Sequence, residues 1–113
     1  MTEDRFAVEH RTPESRYVLI DRESDDAVIG EESYVDVGDE RVLFHTLVSD
    51  DYGGRGLASR LVSAVVDDVV AHGKVVVPVC PYVKTWLPKH PEHADHAVAV
   101  RPEHLRAVSR RPR

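Results

Sequence analysis

The sequence DYGGRGLAS at positions 51–59 separates two different patterns of apolar residues. From the end of this stretch onward, apolar side chains recur at steps of three and four residues, at Ala58, Leu61, Val62, Val65, Val66, Val69 and Val70. This spacing predicts an amphipathic helix of about four turns, which Gly73 would end because glycine tolerates the left-handed conformation after a helix. Valine has only an indifferent helix propensity, so packing against a sheet must hold this helix.

Before the glycines, the chain contains short apolar runs separated by turns. Three runs, at 16–21, 27–37 and 41–49, are rich in β-branched and aromatic residues and are typical of strands. Their connections are too short for crossover helices, so we expect an antiparallel meander, with Gly30 as a candidate bulge.

After the helix, residues 74–77 have the composition of a buried strand. Pro78 cannot donate to a sheet ladder, so this strand must lie at an edge or separate from a neighbour at that point. Residues 82–87 have helical spacing, with Val83, Trp86 and Leu87 on one face.

The composition is that of one globular domain. The 113 residues are 42% hydrophobic and 31% charged, and the net charge of −5 argues weakly against nucleic-acid binding. No apolar run approaches the roughly 20 residues that span a bilayer. Cys80 is the only cysteine and the first residues lack a secretory pattern, so we expect a cytoplasmic protein without disulfides.

The C-terminal end differs in charge from the rest of the chain. Residues 101–113 carry five arginines against one glutamate. We interpret residues 99–113 as a frayed, solvated tail after a domain at 1–98. The alternative is an electrostatic contact for RNA, an acidic partner or a phosphorylated ligand.

The glycine-rich segment has the chemistry of an anion site. The first amides of a helix lack internal partners, its dipole is positive there, and glycines let the backbone approach an anion. With Arg55 and Arg60 nearby, a diphosphate is the natural ligand. A tight turn without a ligand is the alternative. The P-loop pattern is excluded because no Gly-Lys-Ser/Thr follows, and the dinucleotide fingerprint because no βαβ unit surrounds the loop.

Four short motifs in order carry a family resemblance. They are HTLV at 45–48, GRGLAS at 54–59, CPYV at 80–83 and LPK at 87–89. Together they resemble a minimal subgroup of the GNAT N-acetyltransferases over roughly residues 16–92. Gly53 departs from the wider family, which usually has glutamine or arginine there, so one side-chain contact to the cofactor is not implied.

The resemblance implies a fold, an activity and a cofactor. The fold would be α/β (α+β), a mostly antiparallel twisted sheet with one main helix and a short C-terminal helix. The activity would be acetyl transfer from acetyl-CoA to an amine (a small molecule, a polyamine or a protein lysine) without a metal. Leu47 and Val48 would pair with the pantetheine arm between two diverging strands. The pyrophosphate would lie on the cradle formed by Gly53, Gly54, Arg55, Gly56, Leu57, Ala58 and Ser59.

Three residues are candidates for the chemistry. On an ideal strand His45 shares a face with Leu43 and Leu47, where it could act as general base or be a half-buried histidine bonded to a carbonyl. Cys80 could be a nucleophile, if a partner such as His45 activates it, or a structural residue near the CoA thiol. Tyr82 could protonate the leaving thiolate, or be a core aromatic.

Two further features have alternative interpretations. His90, His93 and His96 have a spacing that suggests a metal, but zinc sites usually include thiolates, so we expect a solvated segment and no metal. Acidic residues in the first half (Glu31, Glu32, Asp36) would suit a polyamine or a lysine. The alternatives to an enzyme are a CoA-binding module without catalysis and an interaction protein that uses the arginine-rich tail.

Overall fold

The computed structural model describes residues 5–111, which form one five-stranded sheet with four α-helices. The strands are β1 (Phe6–Arg11), β2 (Arg16–Asp21), β3 (Ala27–Val37), β4 (Glu40–Val48) and β5 (Val75–Pro78). They lie in the order β1-β2-β3-β4-β5, with every pair antiparallel except β4 and β5. The predicted mostly antiparallel meander is therefore confirmed, and β1 is an addition to it.

The helices are α1 (Leu57–Ala71), α2 (Pro81–Trp86), α3 (Pro91–Ala94) and α4 (Pro102–Ser109). The predicted apolar face of α1 is confirmed: its buried residues are Leu57, Leu61, Val62, Val65, Val66 and Val69. Gly73 follows with a φ of +72°, as expected for a helix end. Within residues 5–111, no helix combines the length and apolar character needed to cross a bilayer.

Two bulges change which side chains share a face of the sheet. In β3, Ile29 is the extra residue. At the neighbouring Gly30 a side-chain Cβ would lie 2.9 Å from the carbonyl oxygen of Leu47. In β4, Phe44 is the extra residue. Because of this second bulge, Leu43 points into the core while His45 is exposed, so the prediction that they share a face is wrong.

The C-terminal segment is folded, which corrects the interpretation of a frayed tail. Helix α4 contacts β3 and β4, and His104 on it is fully buried. His104 Nδ1 accepts the N–H of Arg101, and Nε2 lies 2.7 Å from Glu40 Oε1. Arg101 also donates to Glu40 at 2.8 Å. These contacts attach the helix to the start of β4; Arg113, counted in the tail, lies outside the described residues.

Candidate functional site

Strands β4 and β5 separate after a short stretch of pairing and form a fork. Their parallel pairing runs from Glu40 and Val75 to Leu43 and Pro78. Beyond it, the amides of Val79 and Cys80 both donate to the carbonyl oxygen of Leu43, at 3.1 and 2.8 Å. Pro78 thus lies where the strands part and on an edge strand, as its missing N–H predicted.

The glycine-rich segment joins this fork to the N-terminus of α1. Gly54 and Gly56 have φ of +79° and +67°, and a Cβ on either would meet nothing within 4 Å. They are therefore needed for the backbone conformation, and they face open space. The first bond of the helix runs from the amide of Arg60 to the carbonyl of Gly56, so the amides before Arg60 have no partner in the helix.

A cavity of about 230 Å³ follows this segment from Val48 to Tyr82. Its other lining residues are Ser49, Asp50, Tyr52, Gly53, Gly54, Gly56, Leu57, Ala58 and Ser59. Leu47 lies outside it and is half-exposed. The structure thus brings most of the predicted cradle into one concave surface, with free helix amides at one end.

Asp21 anchors the entrance to the glycine-rich segment. Its buried carboxylate accepts hydrogen bonds from Tyr52 Oη at 2.6 Å, from Arg5 at 2.9 and 3.0 Å, and from Ser24 at 3.1 Å. These partners, Arg5 first, hold the pKa of Asp21 well below its ordinary value. This role of Asp21 is not evident from the sequence, because a polar residue at the end of an apolar run indicates only where a strand ends.

His45 lies on the face of the sheet away from α1. Its side chain is half-exposed, and its Nε2 lies 3.6 Å from Glu31 Oε2. Together with Phe44 and Arg111 it lines a cavity of about 770 Å³. Glu31 also accepts from Arg16 at 2.5 Å, so this carboxylate is already paired with a cation.

Cys80 lies on the other face, in a chain of polar side chains that includes a buried carboxyl group. Its Sγ is 3.1 Å from Thr46 Oγ1, and Thr46 also hydrogen-bonds to Glu32. Among residues 5–111, Thr46 is the side-chain hydrogen-bond partner of Cys80, so the pairing with His45 that a nucleophilic Cys80 would require is not formed. Glu32 is fully buried, its Oε2 has no partner within the described chain, and burial raises its pKa to about 8.

The sequence contains one signal for the burial of Glu32. Tyr34 is a core aromatic two positions further along β3, and alternate residues of a strand share a face. The same alternation places Glu32 towards the core. Thr46 is its cross-strand partner on β4.

The two aromatic residues of α2 have different environments. Trp86 is in the core and donates its Nε1–H to Ser59 Oγ at 2.8 Å. Tyr82 is exposed at the glycine-segment cavity, and partial burial raises its pKa. The interpretation of a core aromatic therefore holds for Trp86 and not for Tyr82.

Two of the three histidines near the C-terminus, His90 and His93, pack around Trp86, whereas His96 is exposed as expected for a solvated segment. His90 stacks on the indole with ring centroids 3.8 Å apart, and His93 Nε2 lies 3.0 Å from Asp67. The metal-compatible group found within residues 5–111 lies elsewhere, at Glu40, Glu103 and His104. Arg101 forms ion pairs with both carboxylates of that group, which explains its charge balance without a metal.

Comparison with known structures agrees with this architecture. The chain is similar to the solution structure of a GCN5-like protein from Staphylococcus aureus, with a TM-score of 0.64, 24% sequence identity, and coverage of 90% of this chain and 97% of the other. It also resembles N-acetylglutamate synthase from Neisseria gonorrhoeae, which was solved with coenzyme A and N-acetyl-glutamate. That likeness has a TM-score of 0.54 and 14% identity, and covers 78% of this chain and 26% of the synthase.

At these identities the structural matches show a shared fold. No curated protein matches the sequence. A family model described as GCN5-related N-acetyl-transferase matches residues 16–96, which include the fork, the glycine-rich segment and the candidate residues His45, Cys80 and Tyr82. The chain therefore belongs to the GCN5-related N-acetyl-transferase family.

Proposed function

We propose that the protein transfers an acetyl group from acetyl-CoA to an amine. The observation that carries this proposal is the continuity of the β4–β5 fork with a glycine-rich segment that ends in free helix amides. The amides at the start of α1 suit the pyrophosphate, since they supply both hydrogen-bond donors and the positive end of the helix dipole. The unpaired edge of β4, at Leu47 and Val48, suits the amides of the pantetheine arm.

The thioester would then lie near the fork, where both faces of β4 supply candidate groups. His45 is proposed as the base that takes the proton of the amine, because its exposed ring lines the cavity through which an acceptor could enter. Cys80 would lie beside the CoA sulphur on the core side. Tyr82 is proposed as a proton donor or as a contact to the cofactor, since it lines the same cavity as the glycines.

The surroundings of three acidic residues bear on the choice of acceptor. The acidic residues that suggested a polyamine all have other environments: Glu31 is paired with Arg16, Asp36 is paired with Arg41, and Glu32 is buried. We therefore propose a single primary amine that enters beside His45, without a requirement for several positive charges.

Isothermal titration calorimetry with acetyl-CoA tests the cofactor site. Gly56→Glu would place a carboxylate in the cradle, so we expect micromolar binding by the wild type to fall at least tenfold in this variant. Gly38→Glu is a matched control, because Gly38 also has a positive φ of +58° and open space around it but lies in the β3–β4 turn. Equal loss in both variants, or no binding by folded wild type, would contradict the proposal.

A CoA-binding module without turnover is the second candidate. It is favoured by the placement of His45 and Cys80 on opposite faces of β4, since no His–Cys pair is formed to activate the thiol. Release of free CoA in the presence of an amine panel distinguishes the two functions. Binding without release, with His45→Ala indistinguishable from wild type, would support the module.

A further inference from the structure

The proposed transfer leaves one buried acid without a role. Glu32 has no exposed surface, and its Oε2 lacks a partner among the described residues. The charged residue that acts on it most is Glu31, another acid, and no cation among residues 5–111 offsets the cost of burying a carboxylate. These surroundings favour the neutral, protonated form of Glu32 at neutral pH.

The protonation state of Glu32 determines which way the hydroxyl of Thr46 donates. Thr46 has a single proton and lies between Glu32 and the sulphur of Cys80. When Glu32 is neutral, its O–H can donate to Thr46, and Thr46 can then donate to a sulphur atom at the fork. When Glu32 is ionised, Thr46 donates to the carboxylate instead, and no proton is directed at the sulphur.

We propose that Glu32, through the hydroxyl of Thr46, supplies the proton for the leaving CoA sulphur, which leaves Tyr82 the role of a contact to the cofactor. The inference rests on the proposed acetyl transfer and adds a positioning residue to it. Cys80 marks the place: its thiol lies just beyond the last β4–β5 pair, at 3.1 Å from Thr46, where the thiol end of the pantetheine would arrive.

The proposed transfer conserves both protons and electrons. The nitrogen of a neutral amine attacks the thioester carbon, so a C–N bond forms, the C–S bond breaks and its electron pair goes to sulphur. Thr46 gives its proton to that sulphur while Glu32 gives its proton to Thr46. The amide nitrogen loses one proton to His45 and solvent, and Glu32 regains one from solvent. The net transfer is one proton from nitrogen to sulphur.

The activity test compares pH profiles of variants that keep the shape of the site. We expect kcat of the wild type to fall above about pH 8, as Glu32 ionises. Glu32→Gln and Thr46→Val should lower kcat by about 10²-fold and lose this descending limb, with the Kd for acetyl-CoA within about threefold of wild type. Thr46→Ser restores the hydroxyl and should restore the profile, and Glu9→Gln on β1 is the control for the substitution itself.

A measurement that does not require catalysis distinguishes failure of this proposal from failure of the proposed function. With glutamate side chains labelled with ¹³C, the carboxyl signal that disappears in Glu32→Gln should titrate near pH 8. A titration near the ordinary value of a glutamate would overturn the proposal, whether or not the protein binds acetyl-CoA. A Glu32→Gln variant that keeps the wild-type kcat and the descending limb would also overturn the proposal. The same conclusion would follow if Tyr82→Phe removed that limb and Glu32→Gln did not.

Discussion

The carboxylate of Asp21 joins three parts of the chain that are far apart in sequence. It accepts from Arg5 before β1, from Ser24 in the β2–β3 connection and from Tyr52 before the glycine-rich segment. A group this small can hold the glycine-rich segment in place because its five hydrogen bonds, the fifth from the amide of Glu23, all go to an ionised, buried acceptor. The same arrangement makes the contribution of Asp21 to the stability of the fold dependent on pH.

Asp21→Asn should destabilise the protein and loosen the glycine-rich segment. The neutral amide cannot accept from all these donors, so we expect the melting temperature to fall by roughly 5 to 10 °C and acetyl-CoA binding to weaken. The folded-state pKa of Asp21 is depressed, so its stabilisation is present above the unfolded pKa and is lost as the pH falls below about 4. Thermal denaturation at neutral and acidic pH measures both effects; Asp25→Asn, on an exposed turn, is the control.

Glu32 has the opposite effect on stability. Its folded-state pKa is raised to about 8 from an ordinary value of 4.5. Its contribution to the free energy of unfolding is therefore most favourable below pH 4.5 and declines as the pH rises to about 8. Each pH unit in this window changes the free energy of unfolding by at most about 1.4 kcal/mol. Urea denaturation should therefore show that the free energy of unfolding of Glu32→Gln rises relative to that of the wild type between about pH 5 and about pH 8. Parallel pH curves for the two proteins would contradict this prediction.

At the scale of elements, the glycine-rich segment contains glycines with different requirements. Gly53 has a φ of −64° and a Cβ there would make an ordinary 3.5 Å contact, whereas Gly56 has a φ of +67°. We expect Gly53→Ala to change the free energy of unfolding by less than about 0.5 kcal/mol, and Gly56→Ala to lower it by about 1 to 2 kcal/mol. Chemical denaturation of the pair measures this difference, and equal effects would show that the backbone conformation is not what requires glycine.

Several elements could be predicted from sequence because their signals are local. The strands at 16–21 and 27–37 have the predicted bounds, and α1 has the predicted face, since charged turns and glycines border strongly periodic apolar runs. Strand β1 was missed because Glu9, His10 and Arg11 interrupt its apolar pattern. The bulge at Phe44 follows from register with β3, which a single run does not reveal.

The candidate site was predictable in part for the same reason. The cradle is a contiguous motif, so its position and its glycines could be recognised in the sequence. The chain of Glu32, Thr46 and Cys80 depends on residues 34 positions apart meeting at the fork, and its buried acid has no local signature. The proposed roles of His45, Cys80 and Tyr82 stay predictions until they are tested.

At the scale of the whole molecule, helix α4 completes the domain instead of trailing from it. Its attachment depends on polar contacts between His104 and Glu40, which are 64 positions apart. The composition of residues 101–113 could not reveal this, because a histidine among arginines indicates a solvated segment unless its partner is known.

His104→Ala should therefore reduce global stability and not only local order. The variant leaves Glu40 without its buried partner and the N–H of Arg101 without an acceptor, so we expect the free energy of unfolding to fall by about 1 to 3 kcal/mol. Denaturation followed by tryptophan fluorescence reports on Trp86, which lies outside α4. His72→Ala, at an exposed histidine, is the control; an unchanged unfolding midpoint for His104→Ala would show that α4 is dispensable.

The order of the strands has a consequence for how the protein folds. Each antiparallel pair from β1 to β4 joins chain neighbours through short turns, whereas the parallel pair of β4 and β5 must close the connection at 49–74, with α1 inside it. We expect the meander to form first and β5 to dock last. Pulsed hydrogen exchange should then show the amides of β5 protected after those of β3. Until that docking there is no fork, so a nascent chain would acquire the proposed cofactor site only in the final step of folding.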